Sequence, residues 1–220
     1  MAACIGKTDV VIRLLVKGAS VDTPDNEGNT AIALAQEEGQ TDIVNLLRSL
    51  AATDPSDPHA TRILIAVEQT FGPYHPRMIL SLNTLAADAH DRARIAEADS
   101  LYRRAGVLSV LITLRRLQEE DGEGNFAIVT ANQDENSYVQ FAGGPGDSVL
   151  YTELGHGKIL DPTQIAKLEQ TMEWKLPGSE GNDTPNYYRN WTAVNDEDRF
   201  RIAGQVIHTL EDIFDLTLRQ

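Results

Sequence analysis

"YVQFAGGPGDSVLYTEL", residues 138–154, decides the fold class. Apolar and polar side chains alternate over Tyr138–Ala142 and again over Val149–Leu154, the period of a strand with one buried face. "GGPGD", 143–147, separates the two runs and holds the residues that tight turns need. Upstream, Phe126–Ala131 repeats the alternation, and "NQDEN", 132–136, is a second turn-rich separator. Three such runs in succession predict an antiparallel meander. Helical periodicity dominates the chain before them, so the fold class is α+β, with helices first and the sheet after.

On either side of the meander the pattern is helical. "GVLSVLITLRRLQEED" directs Leu108, Leu111, Ile112, Leu114 and Leu117 inward, and "DGEGN" is the turn that follows. "DPTQIAKLEQTM", 161–172, starts a helix with Asp161 as cap and Pro162 in the first position. Trp174 to Leu176 and Tyr187 to Val194 read as two further short strands. The last helix opens with Asn195 as cap and Asp196, Glu197 and Asp198 in its first turn, where the helix dipole favours acids. Phe200, Ala203, Val206, Ile207, Leu210 and Phe214 are expected on its buried face. The predicted order over 106–218 is α-β-β-β-α-β-β-α.

That order, with "YVQFA" at 138–142, Glu153 closing the third strand, Trp174 with Pro177, and "PNYYRNW" at 185–191, resembles the TY-Chap domains. These are grouped with the type III secretion chaperones. One departure is Glu173, where the pattern has glycine before the tryptophan. The resemblance implies a non-enzymatic domain that holds another polypeptide, and a homodimer formed through this domain, as secretion chaperones form. Candidate partner-binding residues are Tyr138, Trp174, Tyr187, Tyr188 and Trp191. Two readings stay open for these rings: they close a small core, or they form an aromatic peptide-binding surface of the kind that dominates interface hot spots.

The N-terminal half carries two further resemblances. "GKTDVVIRLL" begins at Gly6 and "GQTDIVNLLR" at Gly39, an offset of 33 residues. Gly6, Thr8, Asp9, Val11, Leu14 and Ala19 recur as Gly39, Thr41, Asp42, Val44, Leu47 and Ala52. Residues 1–54 thus resemble ankyrin repeats. Val10, Val11, Leu14 and Leu15 are expected to form one apolar helix face, Gly18 to end that helix, and Thr30 to cap the next, whose Ile32, Leu34 and Ala35 pack inward. Met1 aligns with Leu34, inside a helix, so the gene product is expected to begin upstream. "ATDPSDP", 52–58, is a break. Beyond it come Gly72-Pro73-Tyr74-His75-Pro76, then "SLNTLA" at 81–86, then "AEADSLYRRA" at 96–105. In that order they resemble a tetratricopeptide repeat of the kinesin-light-chain type over 58–105. Leu82, Leu85, Ala86 and Ala89 make one stripe and Ile95, Ala98, Tyr102 and Ala105 the facing one. A lone repeat has almost no peptide groove, so its expected role is a structural joint between the ankyrin-like segment and the domain at 106–218.

Composition narrows the function. Cys4 is the only cysteine, so no internal disulfide forms, and a reducing cytoplasm is the expected home, a bacterial one as the TY-Chap resemblance implies. The Asn-x-Thr triplets at Asn182 and Asn190 are then chance matches. No apolar run reaches the roughly 18 residues of a membrane span. The formal charge is −14, and residues 106–220 carry 9 basic and 19 acidic side chains, net −10. Such a chain repels phosphate backbones, so neither nucleic acid nor membrane is an expected partner. His59, His75 and His90 are spaced too irregularly for a metal site on one helix, so no metal is expected. "GHGK", 155–158, is too short for a phosphate loop and "GGPGD" sits in a hairpin, so no cofactor is expected. Glu153 and His156 could pair as acid and base, but no serine or cysteine nucleophile stands near them in sequence. The expected function is a non-enzymatic, chaperone-like adaptor with a protein or peptide client. The alternatives are an enzyme with a site near Glu153 and His156, or a purely structural scaffold.

Overall fold

The computed structural model describes residues 1–120, 125–131, 134–155, 160–179, 185–193 and 195–214. Among the described residues the chain mixes helix and sheet, with the strands following six helices. The chain forms two compact units, Met1–Ala105 and Gly106–Gln220. The segments 1–54 and 58–105, separate in the sequence reading, thus share one unit.

That first unit holds α1 (Thr8–Val16), α2 (Ala31–Glu37), α3 (Thr41–Ala52), α4 (His59–Phe71), α5 (Pro76–Asp91) and the start of α6 (Ile95–Glu119). The run "VVIRLLV" in α1 is apolar nearly all round, so periodicity alone does not choose its inner face. Val11, Ile12, Leu15 and Val16 are buried, while Val10 and Leu14 are exposed, one position off the expected stripe. Within the unit α1 packs chiefly on α5, with α4 and α3 beside it. Thr30 caps α2 by accepting from the Ala33 amide at 3.3 Å. Leu82, Leu85, Ala86 and Ala89 are all buried, as are Ala98, Tyr102 and Ala105; Ile95 is exposed and Leu101 takes its place.

The Gly-Pro-x-His-Pro stretch has a local cause at each position. Gly72 ends α4 at φ +90°, where a side chain is strained. His75 is the N-cap of α5, its Nδ1 accepting from the Arg77 amide at 3.1 Å, and Pro76 occupies the first helical position. Between α5 and α6 the chain turns through Ala93 at φ +58°. The Arg94 amide donates to the Ala89 carbonyl at 2.8 Å across that turn. Asp88 is the buried carboxylate of the unit. It accepts from Lys17 at 3.0 Å and pairs with Arg92 at 2.9 Å and Arg94 at 3.7 Å. Burial opposes its ionisation, but Lys17 and Arg92 outweigh burial and hold the carboxyl below the usual range.

The second unit is an antiparallel sheet in the order β1-β2-β3-β4, from Phe126–Ala131, Asp134–Ala142, Val149–Gly155 and Tyr187–Thr192. β2 starts at Asp134, inside the stretch whose composition marks a turn. Helix α8 (Asp196–Phe214) covers one sheet face through Ile202, Ala203, Val206, Ile207, Leu210 and Ile213. Asn195 caps it by accepting from Asp198 at 2.9 Å. Phe200 is 59% exposed, contrary to expectation. Residue 199, not 200, continues the 3.6-residue stripe, and Arg199 takes that buried place by pairing with Asp196 at 2.8 Å.

Gln118 is buried at the end of α6 and ties the unit together. Its amide donates to the Asp147 carbonyl at 2.8 Å and the Ala193 carbonyl at 3.0 Å, and its oxygen accepts from Arg199 at 2.8 Å. Asp161 and Gln164 form a reciprocal capping box on α7 (Pro162–Ala166), which continues as a π-helical turn, Lys167–Thr171. The strand expected at Trp174–Leu176 reduces to a single antiparallel bridge, Lys175 to Tyr188. The cause is local: Glu173 turns the chain at φ +57° and only one residue then lies alongside β4. Among the described residues no helix is long and apolar enough to cross a membrane.

Candidate functional site

Strand pairing sorts the sheet's side chains into two faces. Successive residues point to opposite sides, so the register fixes which side chains meet. On the α8 side stand Val139, Phe141, Leu150, Thr152, Leu154, Tyr187, Arg189 and Trp191. On the other side three rows cross the sheet. The first is Phe126, Ala142, Tyr151 and Asn190; the second Ile128, Gln140, Glu153 and Tyr188; the third Thr130, Tyr138 and Gly155.

The expected aromatic cluster divides between these faces. Trp174, Tyr187, Tyr188 and Trp191 are 3%, 5%, 4% and 3% exposed, and burial makes them core side chains of the unit. Trp174 and Trp191 meet edge to face at 6.3 Å, and Trp174 Nε1 donates to Thr209 Oγ1 at 3.3 Å. The Arg189 guanidinium lies 3.8 Å over the Trp191 ring, donates to the Met172 carbonyl and pairs with Glu173 at 2.6 Å. Burial holds the Arg189 pKa below its usual value, and Glu173 offsets that only in part. Burial, then Glu169, pushes the Tyr187 phenol up. Three buried polar atoms of this interior, Thr152 Oγ1, Trp191 Nε1 and Gln205 Oε1, have no hydrogen-bond partner among the described residues. Tyr188 points to the other face but is covered there by its own chain. Its hydroxyl donates to the Ser179 carbonyl at 2.8 Å.

Tyr138 is the member of the cluster that stands on the face opposite α8, half-buried, in the row next to that of Glu153. Gly155 pairs with Tyr138, and a Cβ at Gly155 would collide with the Tyr138 ring, so the ring lies over the glycine. The Glu153 carboxylate accepts from the Tyr151 hydroxyl at 2.8 Å and the Asn186 amide at 3.2 Å. Tyr151 stacks on Tyr188 with centroids 6.2 Å apart. A carboxylate thus stands between two tyrosines along one strand, with Gln140 opposite it. His156, Lys158 and Asn182 lie outside the described residues. Among the described residues no group of three His, Cys, Asp or Glu is placed to hold a metal.

Beside this centre the face is apolar. Phe126 and Ile128 on the edge strand β1 are 63% and 49% exposed, and Val149 on β3 is 49% exposed. The sequence reading did not mark Phe126, Ile128, Tyr151, Gln140 or Asn186 as site residues. The signal was present in β3, where 149, 151 and 153 share a parity, and in β1, where 126 and 128 do. No protein-family model, curated protein or solved structure matches the chain.

Proposed function

We propose that the unit at 106–220 is a non-enzymatic, chaperone-like module that holds a polypeptide client on the sheet face opposite α8. The observation that carries this reading is the exposure of Phe126, Ile128 and Val149 on that face. Large apolar side chains gathered on one uncovered sheet face mark a surface that is covered by something else. Glu153 supports binding rather than catalysis. Its two named donors are a tyrosine and an asparagine, which orient a carboxylate, and the face rows contain neither serine nor cysteine. The reading places the protein in a bacterial cytoplasm, with the repeat-like helices as a joint in front of the module.

A photo-crosslinking amino acid placed at Ile128 tests it, with the same group at Phe200, exposed on α8, as control. In cells, a discrete polypeptide adduct is expected from position 128 and not from 200. Equal labelling at both would overturn the proposal. A second reading, self-association of this unit, is favoured by β1 being an edge strand with Phe126 exposed. Sedimentation of Phe126→Ser against wild type separates the two, since only a dimer formed there becomes lighter.

A further inference from the structure

The sheet face carries a specificity element beyond its apolar edge. We propose that Glu153, set between Tyr151 and Tyr138, is a pocket for one cationic side chain, an arginine or lysine of the bound segment. The inference rests on the polypeptide-binding reading and names the chemistry that the bound segment must bring.

The geometry supports it residue by residue. Along β3 the face-side neighbours of Glu153 are Tyr151 and Gly155. Because Gly155 has no Cβ, the Tyr138 ring lies over it, so the carboxylate has an aromatic ring on either side. The Tyr151 hydroxyl and the Asn186 amide hold the carboxylate in one orientation. A carboxylate set between aromatic rings suits a guanidinium or ammonium, since the rings attract cations through their faces and the acid supplies the charge. Gln140 stands opposite Glu153 in the same row. The net charge of −10 over 106–220 points the same way and steers basic segments to the unit. Ile128 lies two strands from Glu153 in the same row, about 10 Å at ordinary strand spacing. The client is therefore an apolar segment with one basic side chain about 10 Å from its apolar anchor.

The test uses the full-length protein and two synthetic fluorescent peptides. Both have valine at alternate positions; one carries a central arginine and the other citrulline, its uncharged isostere. Anisotropy titrations at low salt are expected to give the arginine peptide at least a tenfold tighter Kd. Glu153→Gln, which removes the charge at equal size but can accept from only one of the two donors, should shrink that preference to within about twofold. Salt should weaken the arginine peptide alone. If Glu153→Gln fails to fold by its tryptophan spectrum, Glu153→Asp serves instead, with a reduced preference expected because the carboxylate withdraws from the rings. Equal affinity of the two peptides for wild type would overturn the cation pocket and leave polypeptide binding standing. A preference that persists in both Glu153 variants would also overturn it. Binding of neither peptide would bring down the polypeptide-binding reading together with the pocket.

Discussion

Glu173 sets two physical effects against each other, and substitution separates them. Its backbone sits at φ +57°, a region that costs a side chain roughly 1–2 kcal/mol relative to glycine. Its carboxylate pairs with Arg189 at 2.6 Å, but the Glu173 side chain is 74% exposed, so the pair contributes only about 0.2–1 kcal/mol. Glu173→Ala removes the ion pair and keeps the strained backbone, and should destabilise the unit by that smaller amount. Glu173→Gly removes both. It recovers the backbone strain less the extra freedom glycine gives the unfolded chain, roughly 0.4–1 kcal/mol. Glycine should therefore be more stable than alanine by about 0.5–1 kcal/mol and lie close to wild type. The Arg189 bond to the Met172 carbonyl and its place over Trp191 do not involve the Glu173 side chain, so both are expected to persist in the variants. The assay is urea unfolding followed by tryptophan fluorescence. Both tryptophans of the chain, Trp174 and Trp191, lie in this unit, so the signal reports it by itself. An unchanged urea slope makes the midpoints comparable. If Glu173→Gly unfolds at lower urea than Glu173→Ala, the turn does not need a left-handed residue and the reasoning fails.

Ala93 occupies the same backbone region at the end of α5, with the turn closed by the Arg94 to Ala89 bond. Ala93→Gly should raise the stability of the first unit by about 0.5–1 kcal/mol in urea unfolding followed by circular dichroism; a fall would refute the strain. Thr152 buries a hydroxyl without a partner among the described residues, so Thr152→Val should be neutral or stabilising by up to about 1 kcal/mol. A loss above about 1 kcal/mol would reveal a bond to that hydroxyl. Asp88 is held below the usual carboxylate range in the folded state, so its contribution is present above the unfolded pKa of about 3.9 and disappears as pH falls through the lower folded value. Asp88→Asn should cost about 1–3 kcal/mol at neutral pH, and the gap to wild type should narrow below about pH 4. A gap that stays constant down to pH 2.5 would sink the ion-pair account.

Strand alternation was legible because it has one period and few rivals. β1 begins and ends where the apolar-polar pattern does, and β3 runs one residue past it. Caps were legible for the same reason: Thr30, Asp161 and Asn195 each have a short oxygen-bearing side chain immediately before a periodic run, and each accepts the expected amide. What composition did not disclose was the side from which each stripe is covered. In α1 every residue but Thr8, Asp9 and Arg13 is apolar, so burial of Ile12 and Val16 rather than Val10 and Leu14 is decided by where α5 lies. In α8 an arginine displaces a phenylalanine from the stripe because Asp196 and Gln118 satisfy its guanidinium. Gln118 stands four residues beyond Leu114, on the apolar stripe of α6, and only the carbonyls of Asp147 and Ala193 explain a buried amide there.

The aromatic cluster shows why residue type alone cannot separate a core from a surface. Tyr187 and Tyr188 are adjacent in one strand, so the pleat sends them to opposite faces whatever their function. Both are buried because both faces of β4 are covered, one by the Trp174–Trp191 interior and the other, at Tyr188, by the stretch that includes Ser179. Phe126 and Ile128, on β1 at the far edge of the same sheet, are exposed. Tyr138 differs from the other cluster members for a reason that sits in its partner. Gly155 lets the ring lie flat across the strand, where any larger residue would push it away. That places the Tyr138 ring over the strand neighbour of Glu153 on the side of the sheet opposite α8. Gly155, weighed in the sequence only as the start of a loop "GHGK", is therefore the residue on which the place of the Tyr138 ring depends.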